Sequence, residues 1–160
     1  MAKRYAQLTV ELMAFIQNQK MFFVGTAPSK DGEVNVSPKG YDTLRILNNH
    51  TLLYVDYYGS GNETSNHLTE NQRITFMWCS FVETPLILRV YGNGKVLAKD
   101  SNDFTESMGQ FFHELDSRIV RQIFIVNIDS VQTSCGWAVP FMNYVEDRSM
   151  LNDMSKKQFK

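Results

Sequence analysis

Six stretches of this chain read as β-strands, most of them joined by turn-length connections, and this succession limits the fold more than any single motif. Met21 to Ala27 is apolar and rich in aromatic and β-branched residues. Pro28 to Gly32 supplies turn chemistry, with Asp31-Gly32 as a hairpin signal, and a second strand runs from Glu33 towards Lys39. Thr51 to Tyr57 follows the Asn48-Asn49 turn. Arg73 to Phe81 and Pro85 to Ala98 come next, the latter flexed at Gly92 and Gly94, since glycines inside a strand mark a bulge or bend. Arg121 to Thr133 is the last, with Phe124, Val126 and Ile128 alternating with Ile123, Ile125 and Asn127. Parallel strands need a crossover, usually a helix, at every step, so the pattern predicts a mainly β, antiparallel barrel rather than a doubly wound α/β fold.

Short helices belong at the ends of such a barrel. Leu8, Leu12, Phe15 and Ile16 recur at helical spacing and predict a first helix ending near Lys20. Asn62 stands where an N-cap would accept a backbone N–H of a short helix carrying Leu68. Phe104, Met108, Phe111, Phe112 and Leu115 form a second helical stripe, which reads as core packing rather than a ligand box. No repeat, low-complexity tract or linker divides the chain, so residues 1–160 read as one domain. At this length one core can bury roughly 70% of the surface that the unfolded chain exposes, and neither disulfide nor metal is required.

Sixteen basic and seventeen acidic side chains give a net charge of −1, which argues against nucleic acid or an anionic membrane as main partner. No apolar run approaches the ~20 residues that span a bilayer, and Met1-Ala2-Lys3-Arg4 leads into a polar-interrupted segment. The expected location is cytoplasmic. Cys79 and Cys135 lack CxxC spacing and a nearby histidine pair, so they are expected to be reduced and buried, with no metal site. His50, His67 and His113 form no HExxH, and no GxSxG elbow is present. Cys135 could act as a nucleophile only with a base brought near in space. No catalytic side chain is assigned.

Two segments suit an anion. In Asn35-Val36-Ser37-Pro38-Lys39-Gly40 a proline and a glycine break the strand ladder around a lysine, freeing a hydroxyl and a cation for a ligand. The alternative is a solvated lysine at a strand end. Gly59-Ser60-Gly61-Asn62-Glu63-Thr64 is a small-residue loop entering a helix, where unpaired N–H groups and a partial positive charge can meet a phosphate. It fits neither the dinucleotide nor the P-loop spacing, and a plain capped helix is its alternative. Eleven Phe, seven Tyr and two Trp are an aromatic excess that suits a β-rich core or a flat ligand.

The order Val34-Asn35-Val36-Ser37-Pro38-Lys39-Gly40, Tyr54-Val55-Asp56, Gly59-Ser60-Gly61-Asn62-Glu63-Thr64, Asn71-Gln72-Arg73-Ile74 and Ile87-Leu88-Arg89-Val90-Tyr91-Gly92 resembles the pyridoxamine 5'-phosphate oxidase-like family of FMN-binding split barrels. Ser134-Cys135-Gly136-Trp137-Ala138-Val139-Pro140 resembles a branch of it apart from the true oxidase, and the likeness runs from roughly Leu8 to Leu151. The resemblance implies a six-stranded split β-barrel, and a homodimer with FMN in clefts between the subunits. Val36, Ser37 and Lys39 would lie along the flavin and its phosphate. Tyr54, Val55 and Asp56 would pass under the ring, Asn62 and Thr64 would hold the phosphate, and Arg89 would face the flavin. Trp137 would stack from the second subunit. The implied activity is an oxidoreductase passing electrons from NADH or NADPH to a small acceptor; the alternatives are a non-catalytic flavin store or sensor, or a barrel using the deazaflavin F420 or haem. Glu63-Thr64 stands where the true oxidase has an arginine-lysine pair, and its arginine-containing segment near the C-terminus has no match here. Inefficient oxidation of pyridoxamine phosphate follows as the expectation.

Overall fold

A computed structural model describes residues 2–158; Met1 of the N-terminal tetrapeptide and the last two residues of the 1–160 domain lie outside them. The elements run β1 (Lys3–Tyr5), α1 (Val10–Asn18), β2 (Phe22–Thr26), β3 (Asn35–Lys39), β4 (Leu44–Asn48), β5 (Thr51–Tyr57), α2 (Glu63–Asn71), β6 (Arg73–Cys79), β7 (Ile87–Ala98), α3 (Asn102–Phe111), a 3-10 turn (Ser117–Ile119), β8 (Val120–Ser134) and α4 (Met150–Gln158). Every strand pair is antiparallel. The order is β3-β2-β6-β7-β8-β5-β4, with β1 added to β8. The outermost strands of that path, β3 and β4, do not pair with each other, so the barrel is split. The count is eight strands among the described residues, correcting the expected six. β1 is three residues long and mostly exposed, while every residue of β4 from Leu44 to Leu47 is half-buried, so neither shows the alternation that marks a strand.

The barrel interior is aromatic. Phe22, Tyr54, Phe76, Trp78 and Phe124 are buried together, and α1 closes one end with Leu12 and Ile16. Thr9 caps α1 by accepting from the Leu12 N–H at 3.3 Å. A second cluster forms outside the barrel, where Phe104 and Met108 of α3 cover Leu53, Val55 and Ile123. β5 is therefore buried on both faces, which is why it reads as a continuous apolar run.

The register of β7 against β8 shifts between Tyr91 and Gly92, at one of the two glycines expected to flex that strand. At Gly94 a Cβ would come within 2.9 Å of the Leu68 side chain, so the missing side chain is what lets α2 dock on β7. The Gly94 N–H donates to the Gln72 carbonyl at 2.7 Å and fixes the same contact from the C-terminal end of α2. Both cysteines are free, but only part of the expectation for them holds. Cys79 is half-buried and Cys135 is exposed, because the chain has left the sheet by that point. No helix of the described residues is long and apolar enough to cross a membrane.

Candidate functional site

The chain folds so that its two anion-suited segments meet. β3, the end of β5 and the turn into α2 enclose a cleft of about 500 Å³. β3 lies at the sheet edge, antiparallel to β2, so Pro38 sits opposite Phe23 without disrupting an interior ladder. Along β3, Asn35, Ser37 and Lys39 are half-buried while Val36 and Pro38 are exposed. The first set carries the polar contacts of the site.

β5 follows the interior pattern through Leu52 and Tyr54, and at the next position on that face it places Asp56. The Lys39 Nζ lies 3.1 Å from Asp56 Oδ1, an ion pair with side chains only 26% and 12% exposed. Pairing of β5 with β8 sets Gln122 opposite Asp56. The Gln122 amide donates to Asp56 Oδ2 at 3.0 Å and to Asn62 Oδ1 at 2.8 Å. A carboxylate this buried is stable only when its oxygens are paired, and here both are.

A second polar chain forms the opposite wall. Ser37 donates to Asn35, whose amide donates to Thr64 at 3.2 Å and to Thr26 at 3.4 Å. The Thr26 hydroxyl pairs with Nδ1 of His67 at 2.9 Å, so that histidine is tied to β2. At the loop, the Arg121 guanidinium donates to the carbonyls of Gly59 and Gly61 and lies 5.4 Å from the Tyr58 ring centroid. The glycine-bearing turn is thus braced from the β8 side.

Asn62 does precede α2, but its side chain makes no capping bond, correcting the expected role. Its oxygen is taken by Gln122 and Arg121 instead. Tyr41 stands at the cleft edge with φ +58, a left-handed conformation that is uncommon for a residue with a side chain. Its hydroxyl donates to the Arg148 carbonyl, which draws the C-terminal segment over the cleft so that Leu151 of α4 joins the lining.

Of the residues assigned to a cofactor from sequence, Ser37, Lys39, Val55, Asp56, Asn62 and Thr64 line this cleft. Val36 is 64% exposed on β3. Tyr54 belongs to the core: its ring packs on Phe22, Phe76 and Phe124 at centroid distances of 5.9, 5.8 and 4.8 Å. Its hydroxyl is sealed from solvent without a well-formed hydrogen bond, Thr64 being the polar group that acts on it. Burial, reinforced by the Asp56 charge, holds that phenol well above the ordinary range. Arg89 lies on the outer side of β7 and donates to Ser134 at 3.2 Å. Trp137 is 83% exposed beyond β8, away from the cleft of its own chain. Sequence reasoning missed Asn35, Tyr41, Arg121 and Gln122. For Gln122 a signal existed, a polar residue at the head of an apolar strand, and it is 7% exposed. For Arg121 and Tyr41 none did, because their partners, mostly backbone carbonyls, are distant in the chain.

The cleft has a cation held by a carboxylate, several hydroxyls, a glycine loop at a helix start and aromatic edges. Such a set can take a flat ligand with a polar, hydroxylated tail.

The family model described as pyridoxamine 5'-phosphate oxidase matches residues 8–135. The pyridoxamine 5'-phosphate oxidase family protein ustO of Aspergillus flavus is 37% identical over 151 residues, 89% of this chain. The chain spans 58% of that relative's length. Among solved structures, the putative pyridoxamine 5'-phosphate oxidase of Lactobacillus delbrueckii is similar with TM-score 0.63 and 16% identity, over 79% of this chain and 94% of that one. The FAD binding protein of Mycobacterium smegmatis has TM-score 0.54 and 14% identity, over 81% and 97%. The haem storage protein HutZ of Vibrio cholerae has TM-score 0.53 and 15% identity, over 77% and 90%. At these identities the structures share the fold.

Proposed function

Because the chain belongs to the pyridoxamine 5'-phosphate oxidase family, we propose that its cleft binds FMN and that the protein is an oxidoreductase taking electrons from NADH or NADPH to a small acceptor. The observation that carries this reading is the meeting of the Ser37–Lys39 segment with the Gly59–Thr64 loop around one cleft of about 500 Å³. The donor set fits the cofactor: Lys39 and the hydroxyls of Ser37, Ser60 and Thr64 suit a phosphate and ribityl chain, and the tyrosine edges suit a ring. When bound, the flavin supplies the redox chemistry itself.

This chain's own residues bind, orient and exclude water. Lys39 offers a charge-assisted donor, and Asp56, itself held by the Gln122 amide, keeps that ammonium at the cleft instead of letting it extend into solvent. Arg121 fixes the carbonyls of Gly59 and Gly61, which sets the direction of the loop's N–H groups. Tyr41 and Leu151 narrow the opening and limit solvent access.

A homodimer with the flavin between subunits agrees with what one chain leaves uncovered. Phe23, Met77, Ile87 and Tyr91 are half-buried on the outer side of β2, β6 and β7, and Trp137 and Phe141 are strongly exposed. Trp137 then reaches the partner's cleft rather than its own.

A flavin store or sensor without turnover is the second reading, favoured by the lining, which offers no histidine or cysteine to act as acid, base or nucleophile. For the haem that the HutZ likeness suggests, the described lining holds no histidine, cysteine or methionine, so an axial bond there would fall to a tyrosine such as Tyr41, Tyr57 or Tyr58. Rapid mixing of the flavin-loaded protein with NADH and NADPH separates the first two readings. Bleaching of the flavin band within seconds is the expected result, and a band that persists in both nucleotides contradicts the oxidoreductase reading. Pyridoxal phosphate production at an ordinary enzyme rate would overturn the expectation that pyridoxamine phosphate is not the substrate.

A further inference from the structure

Among the described residues three charged side chains line the cleft, Lys39, Asp56 and Glu63. The Lys39 ammonium is already committed to Asp56 at 3.1 Å. The guanidinium of Arg121 faces the loop carbonyls. The second carboxylate of the lining, Glu63, stands in the first turn of α2 beside that loop. Its carboxylate folds back on the glycine loop: a Cβ built on Gly61 would meet Glu63 Oε2 at 2.2 Å, so the bare glycine is what admits it. With the Asn62 side chain turned away to Gln122, no cap competes for that helix end. The helix field that would attract a ligand phosphate is therefore already serving an internal anion, and one end charge cannot serve two.

On the flavin reading proposed above, we infer that Glu63 is a specificity-determining residue that disfavours a phosphate on the flavin tail while leaving the ring and ribityl chain unaffected. A phosphate dianion placed beside that carboxylate meets like charge, and Lys39, the cation that the described residues bring to the lining, is shared with Asp56. FMN binds against this opposition, and a flavin without phosphate does not meet it.

The test is titration of the flavin-free protein with FMN and with riboflavin, for the wild type and for Glu63→Gln. Glu63 is exposed, so the variant keeps its fold, which circular dichroism verifies. The FMN affinity of Glu63→Gln should rise about two- to fivefold, the scale of an exposed like-charge contact at a helix end. Riboflavin affinity should change by less than twofold. An unchanged ratio of the two affinities overturns the inference while leaving flavin binding intact, and weaker FMN binding by the variant overturns it by making Glu63 a ligand contact. If neither flavin binds the wild type, the flavin reading itself fails.

Discussion

The two ends of β5 obey different physics. Over Leu52 to Tyr54 the strand meets apolar neighbours on both faces, and the interior rings of Phe22, Phe76 and Phe124 leave no room for a polar partner. Two residues on, Asp56 projects on the same face among Lys39, Gln122 and Asn62, and every strong contact there is polar. One strand thus runs from a core that only has to exclude water to a cleft that has to hold charge. Where the barrel ends, the same alternation that buries a ring presents a carboxylate.

The contrast can be broken first from the core side. Phe76→Ala removes a fully buried ring in contact with Phe22, Tyr54 and Trp78, and should lower stability by about 3–5 kcal/mol in denaturant titration. A loss below ~1 kcal/mol would mean that the interior is loosely packed. From the cleft side, Lys39→Ala should weaken FMN binding by roughly 1.5–3 kcal/mol, the range for a charge-assisted hydrogen bond, and because it leaves Asp56 Oδ1 without its ion pair the unfolding midpoint should fall too, by less than in Phe76→Ala. Unchanged affinity would return Lys39 to the role of a solvated strand-end lysine.

Tyr54 stands at the border of the two regions, and its titration sharpens the comparison. In the folded chain its phenol is held above the ordinary value of 10.0, mainly by burial. The unfolded chain releases that proton near pH 10 while the folded chain keeps it. The contribution to stability is therefore intact below that pH and lost progressively above it. Tyr54→Phe should remove this alkaline loss. At neutral pH it should change stability by no more than ~1 kcal/mol in either direction, because the hydroxyl it deletes makes no well-formed hydrogen bond. Equal alkaline loss in wild type and variant would contradict the assignment. The smallest effect is expected for α2: Asn62→Ala should lower stability by less than the ~1 kcal/mol typical of a lost cap, because the Asn62 side chain accepts no capping bond from the helix N–H groups. A loss of ~2 kcal/mol would show that its bonds to Gln122 and Arg121 carry the cleft end.

Legibility in the sequence divides along the same line. Thr51–Tyr57 was readable to the residue, and the α1 and α3 stripes were readable to within a turn, because burial imposes period 2 or 3.6 on apolar residues. β4 was not, since Arg45 spends its guanidinium on Asp42, Glu114 and the Phe111 carbonyl while its neighbours are half-buried, which erases the alternation. The cleft segments were legible as chemistry, a lysine beside proline and glycine and a glycine loop before a helix. Their bracing by Gln122 and Arg121 was not, because it depends on the register of β5 against β8. Tyr54 shows the limit most plainly: it shares a face with Asp56, which lines the cleft, yet two residues further into the barrel its ring packs in the core.

The account rests on flavin in the cleft, and reconstitution tests that most directly. After incubation with FMN and removal of free ligand, the wild-type protein should retain visible flavin absorbance near one FMN per chain, with much less retained by Lys39→Ala. A protein that keeps its fold but emerges without flavin absorbance would contradict the account.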